Sequence, residues 1–386
     1  MPTSTSTQNM YTTTTSAPPP TPSTQPNPHH HLNSTSATMD ALSRLLHRLP
    51  PTLSLPTRRT SATSSLATPT PTSPPPISLS EHSSSVHDRL LSASSQHGFF
   101  QLDKHSIPPH VANSAESDSL SLFKLSKDKK QSYFPKNWPF GFDDNDEDAN
   151  GESFWLDGEL SGSTELTTEL SLSSLRELTR GLEKVGLELV EMLSCAVGFE
   201  NPFKENPTRV CSMMLVNEGL AEEDKPESIS GGCYPCIIGL QYVIRSLKYW
   251  LLTDSGWVAV LPEVDSVLVT IGDIAQVWSN GKLKKVRGRS VPCIGDNKNS
   301  NCISMTLLLT LPTETIVSPL LPKPDTDDDE VDNDKVTEDE EQNGNINIIQ
   351  KEKRLFSSFS FEDYAWRVYH EPLIFKDPLD IYKIST

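Results

Sequence analysis

The stretch from Gly256 to Pro292, GWVAVLPEVDSVLVTIGDIAQVWSNGKLKKVRGRSVP, constrains the fold of this chain more than any other part of it. Within it, SVLVTIGD is rich in β-branched and apolar residues, which predicts a strand buried on both faces. An apolar run resumes over residues 274–278. SNGK at 279–282 then supplies the Asn-Gly pair that two-residue hairpins favour, because both central residues take positive φ. A lysine-rich strand follows, and the whole pattern predicts a β-barrel or jelly roll.

Composition limits how much of the chain can pack into a core. Of 386 residues only 35% are hydrophobic and 31 are proline, and the mean hydropathy is −0.41. No stretch approaches the ~18 consecutive apolar residues of a membrane span. A net charge of −18 argues against a nucleic-acid surface, which needs clustered Lys and Arg. Six cysteines with no secretory leader indicate a reducing compartment. We therefore expect a cytoplasmic protein with no nucleic-acid or membrane partner.

Two segments have compositions that do not support a core. Residues 1–76 are rich in Ser, Thr and Pro, so we predict a disordered extension. Their one acid, Asp40, and four arginines are also typical of a plastid transit peptide, which leaves the plastid as an alternative location. Residues 323–352 contain the run from Asp325 to Glu341, with eleven acids and one lysine. Repulsion keeps such a run solvated, so we predict an acidic disordered insertion.

Helical and strand patterns alternate between these segments. The predicted elements are a helix over 80–96, a strand over 97–102, a helix over 119–130, an acidic loop over 143–152, a helix over 170–198 and sheet over 210–311. The helix over 170–198 is the strongest, because its apolar residues recur at spacings of three and four. Ser174 and Glu177 can form a capping box at its start, and Gly198 can end it. The last clear strand, over 302–311, alternates strictly between its two faces.

The stretch GWVAVLPEVDSVLVTIGDIAQVWSNGKLKKV resembles the core of the plant 2-oxoglutarate and Fe(II)-dependent dioxygenases, the isopenicillin N synthase-like superfamily. That family typically reads GW..V.P..(D/G)(S/A).V.NIGD..Q.WSNG..KSV. HGFFQL resembles its N-terminal signature, although the usual NHGI is replaced by KHSI over 104–107. FSFEDYAWRVYHEPLIFKDPLDIYKI resembles its closing helix and tail. The resemblance spans about residues 77–386, apart from the acidic insertion.

The resemblance implies a mainly β fold with α-helices. A double-stranded β-helix (jelly roll) core over 201–322 would follow an N-terminal α-helical module over 77–200. A C-terminal helix and tail over 353–386 would complete it.

The same resemblance implies where an iron site would lie. The family holds Fe(II) with two histidines and one carboxylate, which leaves positions open for 2-oxoglutarate and O₂. Its H-x-D pair falls on Cys233 and Pro235 of this chain, and its second histidine falls on Gly288. No histidine lies between His110 and His370, so no shift of the alignment restores the site. We therefore predict no catalytic residue and no metal ligand at these positions.

The co-substrate motif is also altered. The family binds the 5-carboxylate of 2-oxoglutarate with R-x-S, whose guanidinium makes a bidentate charged pair. Here Ser304 keeps the position of the serine, but Cys302 replaces the arginine. A tyrosine usually precedes the H-x-D strand, and Met213 and Met214 lie in that region instead. We therefore expect no cofactor, with Fe(II) and 2-oxoglutarate only if non-standard ligands hold the metal.

Two further motifs leave alternatives open. Cys233-Tyr-Pro-Cys236 has the spacing of a redox dithiol or of half a zinc site, but buried free thiols are the simpler interpretation. The basic run KKVRGR over 284–289 could hold an anion, although a solvated edge strand that resists aggregation is the interpretation we favour. His370 lies in the C-terminal helix, where a surface or packing role is the expectation.

The leading functional hypothesis is a catalytically inactive dioxygenase-like protein that binds a small molecule or a protein. The alternative is an active 2-oxoglutarate-dependent oxidoreductase of plant specialised or hormone metabolism with non-standard metal ligands. A third hypothesis is an interaction scaffold whose acidic insertion and N-terminal tail recruit partners. The fold does not choose among them, because one fold hosts many functions.

Overall fold

A computed structural model describes residues 71–79, 83–145, 151–159, 170–205, 209–218, 233–293, 303–320, 354–370 and 377–384. The acidic insertion over 323–352 and all but the last six residues of the predicted extension over 1–76 lie outside these residues. Cys302 lies outside them as well. In the described part of the chain, no helix is long and apolar enough to cross a membrane.

The described residues form helices and strands in an alternating order. The helices are α1 Ser83–Gln96, α2 Pro109–Phe123, α3 Lys127–Tyr133, α4 Ser173–Val197, α5 Asp273–Trp278 and α6 Phe361–His370, with a final 3-10 helix at Pro378–Tyr382. The strands are β1 Pro76–Ser78, β2 Phe99–Asp103, β3 Gly141–Asn145, β4 Gly151–Asp157, β5 Cys211–Glu218, β6 Ile238–Tyr242, β7 Lys248–Thr253, β8 Gly256–Val260, β9 Val267–Ile271, β10 Val286–Cys293, β11 Ile303–Thr310, β12 Ile316–Val317 and β13 Phe359–Ser360.

Eight strands form the large sheet, in the order β1-β2-β9-β6-β11-β5-β4-β3. The predicted strand SVLVTIGD is confirmed as β9, which pairs antiparallel with β2 and with β6. The alternating segment near 302–311 is confirmed as β11, and all eight of its residues are buried. Both of its edges are paired, with β5 and with β6, so it lies in the interior of the sheet.

A smaller sheet, β10-β7-β8, faces the large one. Apolar residues of both sheets meet between them: Phe99, Val243, Tyr249, Leu251, Val260, Leu268 and Val286. Two packed sheets with an apolar layer between them are the jelly-roll arrangement that the sequence predicts. The strands β1 to β4 belong to the same large sheet, although the sequence places them in a helical module. The boundaries drawn at residues 200 and 322 stay predictions.

Helix α4 packs on the large sheet where Gly186 lets it approach. A Cβ at Gly186 would lie 2.6 Å from Cδ1 of Leu309 and 3.1 Å from Cδ1 of Leu240. The helix ends at Gly198 with φ of 90°, as predicted. The predicted capping box is wrong, because the side chain of Asp118, on α2, accepts hydrogen bonds from the backbone of Ser174 (2.9 Å) and Leu175 (3.2 Å) instead.

Three local predictions are also wrong. The apolar run after Gly272 is the helix α5, so SNGK connects a helix to β10 rather than two strands. Asn280 and Gly281 do take the positive φ predicted for them, at 51° and 84°. The single helix predicted over 119–130 is two helices, α2 and α3. The acidic loop predicted over 143–152 overlaps the paired strands β3 and β4. Asp143 can be buried in β3 because Lys136, at 2.8 Å, balances its charge and Tyr369 donates a hydrogen bond to it.

The loop after β2 holds two non-glycine residues at positive φ, Lys104 at 55° and Ser106 at 63°. His105 between them is buried, and its Nε2 lies 2.9 Å from the carbonyl oxygen of Asp265. Ser106 stands at the glycine of the family's NHGI pattern. A left-handed backbone costs a residue with a Cβ roughly 1–2 kcal/mol, which explains why glycine suits this position.

Replacing Ser106 by glycine should therefore raise the free energy of unfolding by about 0.5–1 kcal/mol, after the greater entropy of glycine in the unfolded chain is subtracted. Urea denaturation of the two proteins measures the difference. Ser92, exposed in α1, provides the control, because glycine in a helix should lower stability by about 0.5 kcal/mol. Equal effects of the two substitutions would contradict the assignment of strain to Ser106.

Candidate functional site

Two of the three positions where the family places iron ligands meet at one end of the barrel. Cys233, which precedes β6, and Gly288, on β10, line the same small cavity. The other residues of its lining come from the segment before β6, α5, the start of β10 with the residue before it, α6 and the C-terminal segment: Tyr234, Asp273, Lys285, Arg287, Tyr364, Val368 and Pro378. The third position, Pro235, is not part of this lining, and its carbonyl oxygen accepts a hydrogen bond from Thr310 at 2.8 Å.

Gly288 lies in an irregular part of β10. The pairing of β10 with β7 shifts between Arg287 and Val291, so the residues between them form a bulge. The φ of Gly288 is 72°. A side chain with a Cβ rarely adopts this conformation, so the local backbone itself departs from a strand that could present a histidine.

The predicted co-substrate residue, Ser304, is buried within a polar network. Gln241 on β6 donates its Nε2 to the Ser304 hydroxyl at 2.8 Å, and Ser290 donates to Oε1 of the same glutamine. All three side chains are buried. The Ser304 hydroxyl is therefore paired within the protein, and Ser304 does not line the cavity that contains Cys233 and Gly288.

The most unusual residue of the site is Lys285, whose side chain is 0% exposed. The sequence-based interpretation of the basic run as a solvated edge is wrong for this residue, although its neighbour Lys284 is exposed as expected. The Lys285 ammonium lies 2.7 Å from Oδ1 of Asp273, at the start of α5, and 2.7 Å from Oδ1 of Asp377, before the C-terminal 3-10 helix. We refer to Lys285, Asp273 and Asp377 as the ion cluster.

The pKa values in the ion cluster favour the charged forms of both partners. Burial alone would lower the pKa of Lys285, but Asp273 and Asp377 reverse this and raise it above its ordinary value. Burial would raise the pKa of Asp377, but Lys285 outweighs this and lowers it. The pKa of Tyr364 is raised by its complete burial and then by the charges of Asp273 and Asp377. The pKa shifts therefore favour the charged forms of Lys285 and Asp377 and the neutral form of Tyr364.

Arg287 places a second cation beside Asp377. Its Nη2 lies 4.0 Å from Oδ2 of Asp377 and 3.3 Å from Oδ1 of Asp254. Its Nε is buried and has no hydrogen-bond partner among the described residues. Asp377 thus lies between the two cations Lys285 and Arg287, and each cation also contacts a second carboxylate, Asp273 or Asp254.

Cys233 and Cys236 are buried and form no disulfide. Burial, then the nearby charge of Asp273, raises the pKa of the Cys236 thiol well above its ordinary value. A protonated thiol is neither a nucleophile nor a good metal ligand. These features favour the buried-thiol interpretation of the C-x-x-C motif.

His370 is exposed on α6 and stacks on Trp366 with ring centroids 4.2 Å apart, as expected of a surface residue.

The residues of this site do not match the donor set of a non-haem iron site. Gly288 has no donor atom, and the carboxylates of Asp273 and Asp377 are already bound to Lys285. Across the described ranges, no group of three or more His, Cys, Asp or Glu side chains is arranged to hold a metal ion. The site as described therefore does not fit Fe(II).

Sequence reasoning missed the ion cluster. Asp273 and Asp377 are 12 and 92 residues from Lys285 in the chain, so no local pattern connects them. One signal was present in the sequence. In an extended segment adjacent side chains point to opposite faces, so if one face of this segment packs on the core, either Lys284 or Lys285 points toward that core.

Two family models match the chain. The N-terminal model, described as "non-haem dioxygenase in morphine synthesis N-terminal", matches residues 74–164. The model of the 2OG-Fe(II) oxygenase superfamily matches residues 211–309, which include the strands β5 to β10 and all of β11 except its last residue.

Curated relatives and solved structures agree with these matches. Gibberellin 2-beta-dioxygenase 2 of Arabidopsis thaliana is 24% identical over 262 residues, which cover 60% of this chain and 73% of that protein. The rice dioxygenase for auxin oxidation has a TM-score of 0.57 at 17% identity, covering 81% of this chain and 100% of that one. The dioxygenase for auxin oxidation 1 of Arabidopsis thaliana, in complex with 2-oxoglutarate, has a TM-score of 0.52 at 19% identity, covering 64% and 96%.

These comparisons overturn the expectation that no cofactor is involved. The matched oxygenase model is that of 2OG-Fe(II) enzymes, and one of the similar structures contains 2-oxoglutarate. Fe(II) and 2-oxoglutarate are the cofactors that accompany this family, so the expectation of none is wrong. The matches over residues 74–164 and 211–309, the gibberellin 2-beta-dioxygenase relatives and the jelly roll together support the 2-oxoglutarate and Fe(II)-dependent dioxygenase superfamily as the family of this chain.

Proposed function

We propose that this chain uses the dioxygenase fold as a binding module for a small molecule or a protein, and that the barrel end lined by Cys233 and Gly288 does not oxidise a substrate. The observation that carries the proposal is the ion cluster. An ammonium ion is held by two carboxylates in the cavity on which two of the family's three ligand positions converge.

Two physical arguments support this proposal. Oxidation in this family depends on side chains that hold iron and leave open positions beside it. Here the carboxylates of the cavity are bound to Lys285, and removing them from it would leave a buried ammonium without a partner, which is costly. The bulge at Gly288 also turns the backbone away from the strand geometry that a ligand at that position requires.

A second candidate is an active 2-oxoglutarate-dependent oxidoreductase of plant specialised or hormone metabolism with non-standard metal ligands. The names of the relatives favour it over the first candidate, because they are gibberellin 2-beta-dioxygenases and a feruloyl CoA ortho-hydroxylase. The site geometry favours the first candidate.

We also propose a cytoplasmic location, with the plastid as alternative, and no nucleic-acid or membrane partner.

Product analysis distinguishes the two candidates. The purified full chain is incubated with Fe(II), ascorbate, 2-oxoglutarate and a panel of gibberellins and auxin, and the products are analysed by mass spectrometry. The gibberellin 2-beta-dioxygenase of Pisum sativum serves as the positive control. We expect every panel compound to be recovered unchanged with this chain. A product heavier by one oxygen atom, formed only with 2-oxoglutarate present, would establish the second candidate.

A further inference from the structure

Lys285 and Arg287 converge on a single carboxylate. Lys285 directly precedes β10 and Arg287 is the second residue of that strand, and side chains two positions apart in extended backbone leave the same face. Lys285 Nζ lies 2.7 Å from one oxygen of Asp377, and Arg287 Nη2 lies 4.0 Å from the other. Asp377 thus lies where a carboxylate ligand would bind to a pair of cations.

Not all N–H donors of the Arg287 guanidinium have a close acceptor among the described residues. Its contacts with Asp254 and Asp377, at 3.3 and 4.0 Å, are longer than the 2.7–2.9 Å of a charge-assisted hydrogen bond. Its Nε is buried and, within the described residues, unpaired. A buried donor without a partner is unfavourable, and a planar guanidinium is suited to bind a carboxylate through two of its nitrogens. The site therefore suits a carboxylate that lies closer to Arg287 than Asp377 does.

Asp377 comes from a separate segment. It precedes the C-terminal 3-10 helix, where its Oδ1 also accepts a hydrogen bond from the backbone of Leu379 at 3.0 Å. The cavity beside it measures about 10 Å³, roughly the room that one water molecule needs. A cavity of this size has no room for a carboxylate ligand as long as Asp377 stays beside it.

We propose that Lys285 and Arg287 form a binding site for a small carboxylate, and that Asp377 is a tethered occupant which an external carboxylate must displace. Charge explains why the ligand is an anion. Without Asp377, Lys285 would keep Asp273 as its partner and Arg287 would keep only the exposed carboxylate of Asp254 at 3.3 Å, so an anionic ligand would replace the buried counter-charge that is lost. The inference rests on the binding function proposed above and names its ligand class.

The experiment compares succinate binding to the full chain and to two variants by isothermal titration calorimetry at constant ionic strength. Asp377→Asn removes the charge but keeps an amide oxygen that can accept the hydrogen bond from Leu379. Asp380→Asn is the matched control, because Asp380 lies in the 3-10 helix that Asp377 precedes but pairs with exposed Lys383. A tethered group acts at an effective concentration in the millimolar range. We therefore expect Asp377→Asn to bind succinate at least about tenfold more tightly than wild type or Asp380→Asn.

Adding Arg287→Gln to Asp377→Asn should abolish this gain, and the neutral succinamide should not bind. Succinate binding that is equal in the Asp377 and Asp380 variants, or unchanged by Arg287→Gln, would overturn the site. If Asp377→Asn is partly unfolded, acetate should raise its thermal midpoint more than chloride does, and no difference between the two would also overturn the site. Oxygenated products in the assay above would refute the proposed binding function without affecting this result.

Discussion

Replacing Lys285 by methionine should lower the free energy of unfolding by about 3–5 kcal/mol. The substitution keeps much of the side-chain volume but leaves Asp273 and Asp377 buried without their cation. Removing one partner of a buried ion pair is far more costly than the net contribution of the pair, because the remaining charge has lost both water and its counter-charge. Urea denaturation followed by circular dichroism measures the change.

Lys284 provides a control at the adjacent position. It is exposed, and its ammonium donates to the backbone oxygen of Gln96 at 3.0 Å. Lys284→Met should change stability by no more than about 0.5 kcal/mol. Neutralising both carboxylates in the Lys285→Met protein, with Asp273→Asn and Asp377→Asn, should recover part of the loss. Equal effects at the two lysines would show that the ion cluster does not stabilise the fold.

Replacing Gly272 by alanine should cost about 3 kcal/mol, near the upper end of what an inserted methyl group costs in a packed site. Gly272 precedes α5 and approaches the C-x-x-C segment closely. An added Cβ would overlap the carbonyl oxygen of Cys236 and lie 2.6 Å from its carbonyl carbon. These are backbone atoms, so relief requires a shift of the segment. Because Asp273 is the next residue, that shift would also move it away from Lys285.

Gly181, in the middle of α4, is the control for this substitution. A Cβ there would lie 3.3 Å from a side-chain carbon of Ile107, which can move. Alanine also has a higher helix propensity than glycine by about 1 kcal/mol. Gly181→Ala should therefore leave the thermal midpoint nearly unchanged or raise it. A midpoint for Gly272→Ala close to that of Gly181→Ala would contradict the close approach of Gly272 to Cys236.

The regular part of the fold could be predicted because its hydrophobic periodicity is long and consistent. The strands β9 and β11 and the helix α4 all follow from runs of apolar residues at strand or helix spacing. The apolar run of α5 is too short for this. Five residues fit a strand as well as a helix, and the deciding contact, the hydrogen bond from Ile274 to the Cys236 carbonyl at 3.1 Å, comes from a distant segment.

The site could be predicted only in part, for a related reason. The resemblance points to Cys233 and Gly288, and the structure shows that both line one cavity. It says nothing of Lys285, whose burial depends on Asp377 in the C-terminal segment. Asp118 likewise caps α4 from 56 residues away in the chain. Charged residues are assigned to the surface by default, and only tertiary contacts show which of them are paired inside.

The measurement that tests the account most directly is the release of succinate from 2-oxoglutarate by the purified full chain, with Fe(II) and ascorbate and each compound of the gibberellin and auxin panel. A barrel end occupied by the ion cluster predicts release no greater than in a control without protein, while the pea gibberellin 2-beta-dioxygenase releases succinate under the same conditions. Release above that control, abolished by substitution of Cys233 or Asp273, would contradict the account and establish an active oxygenase.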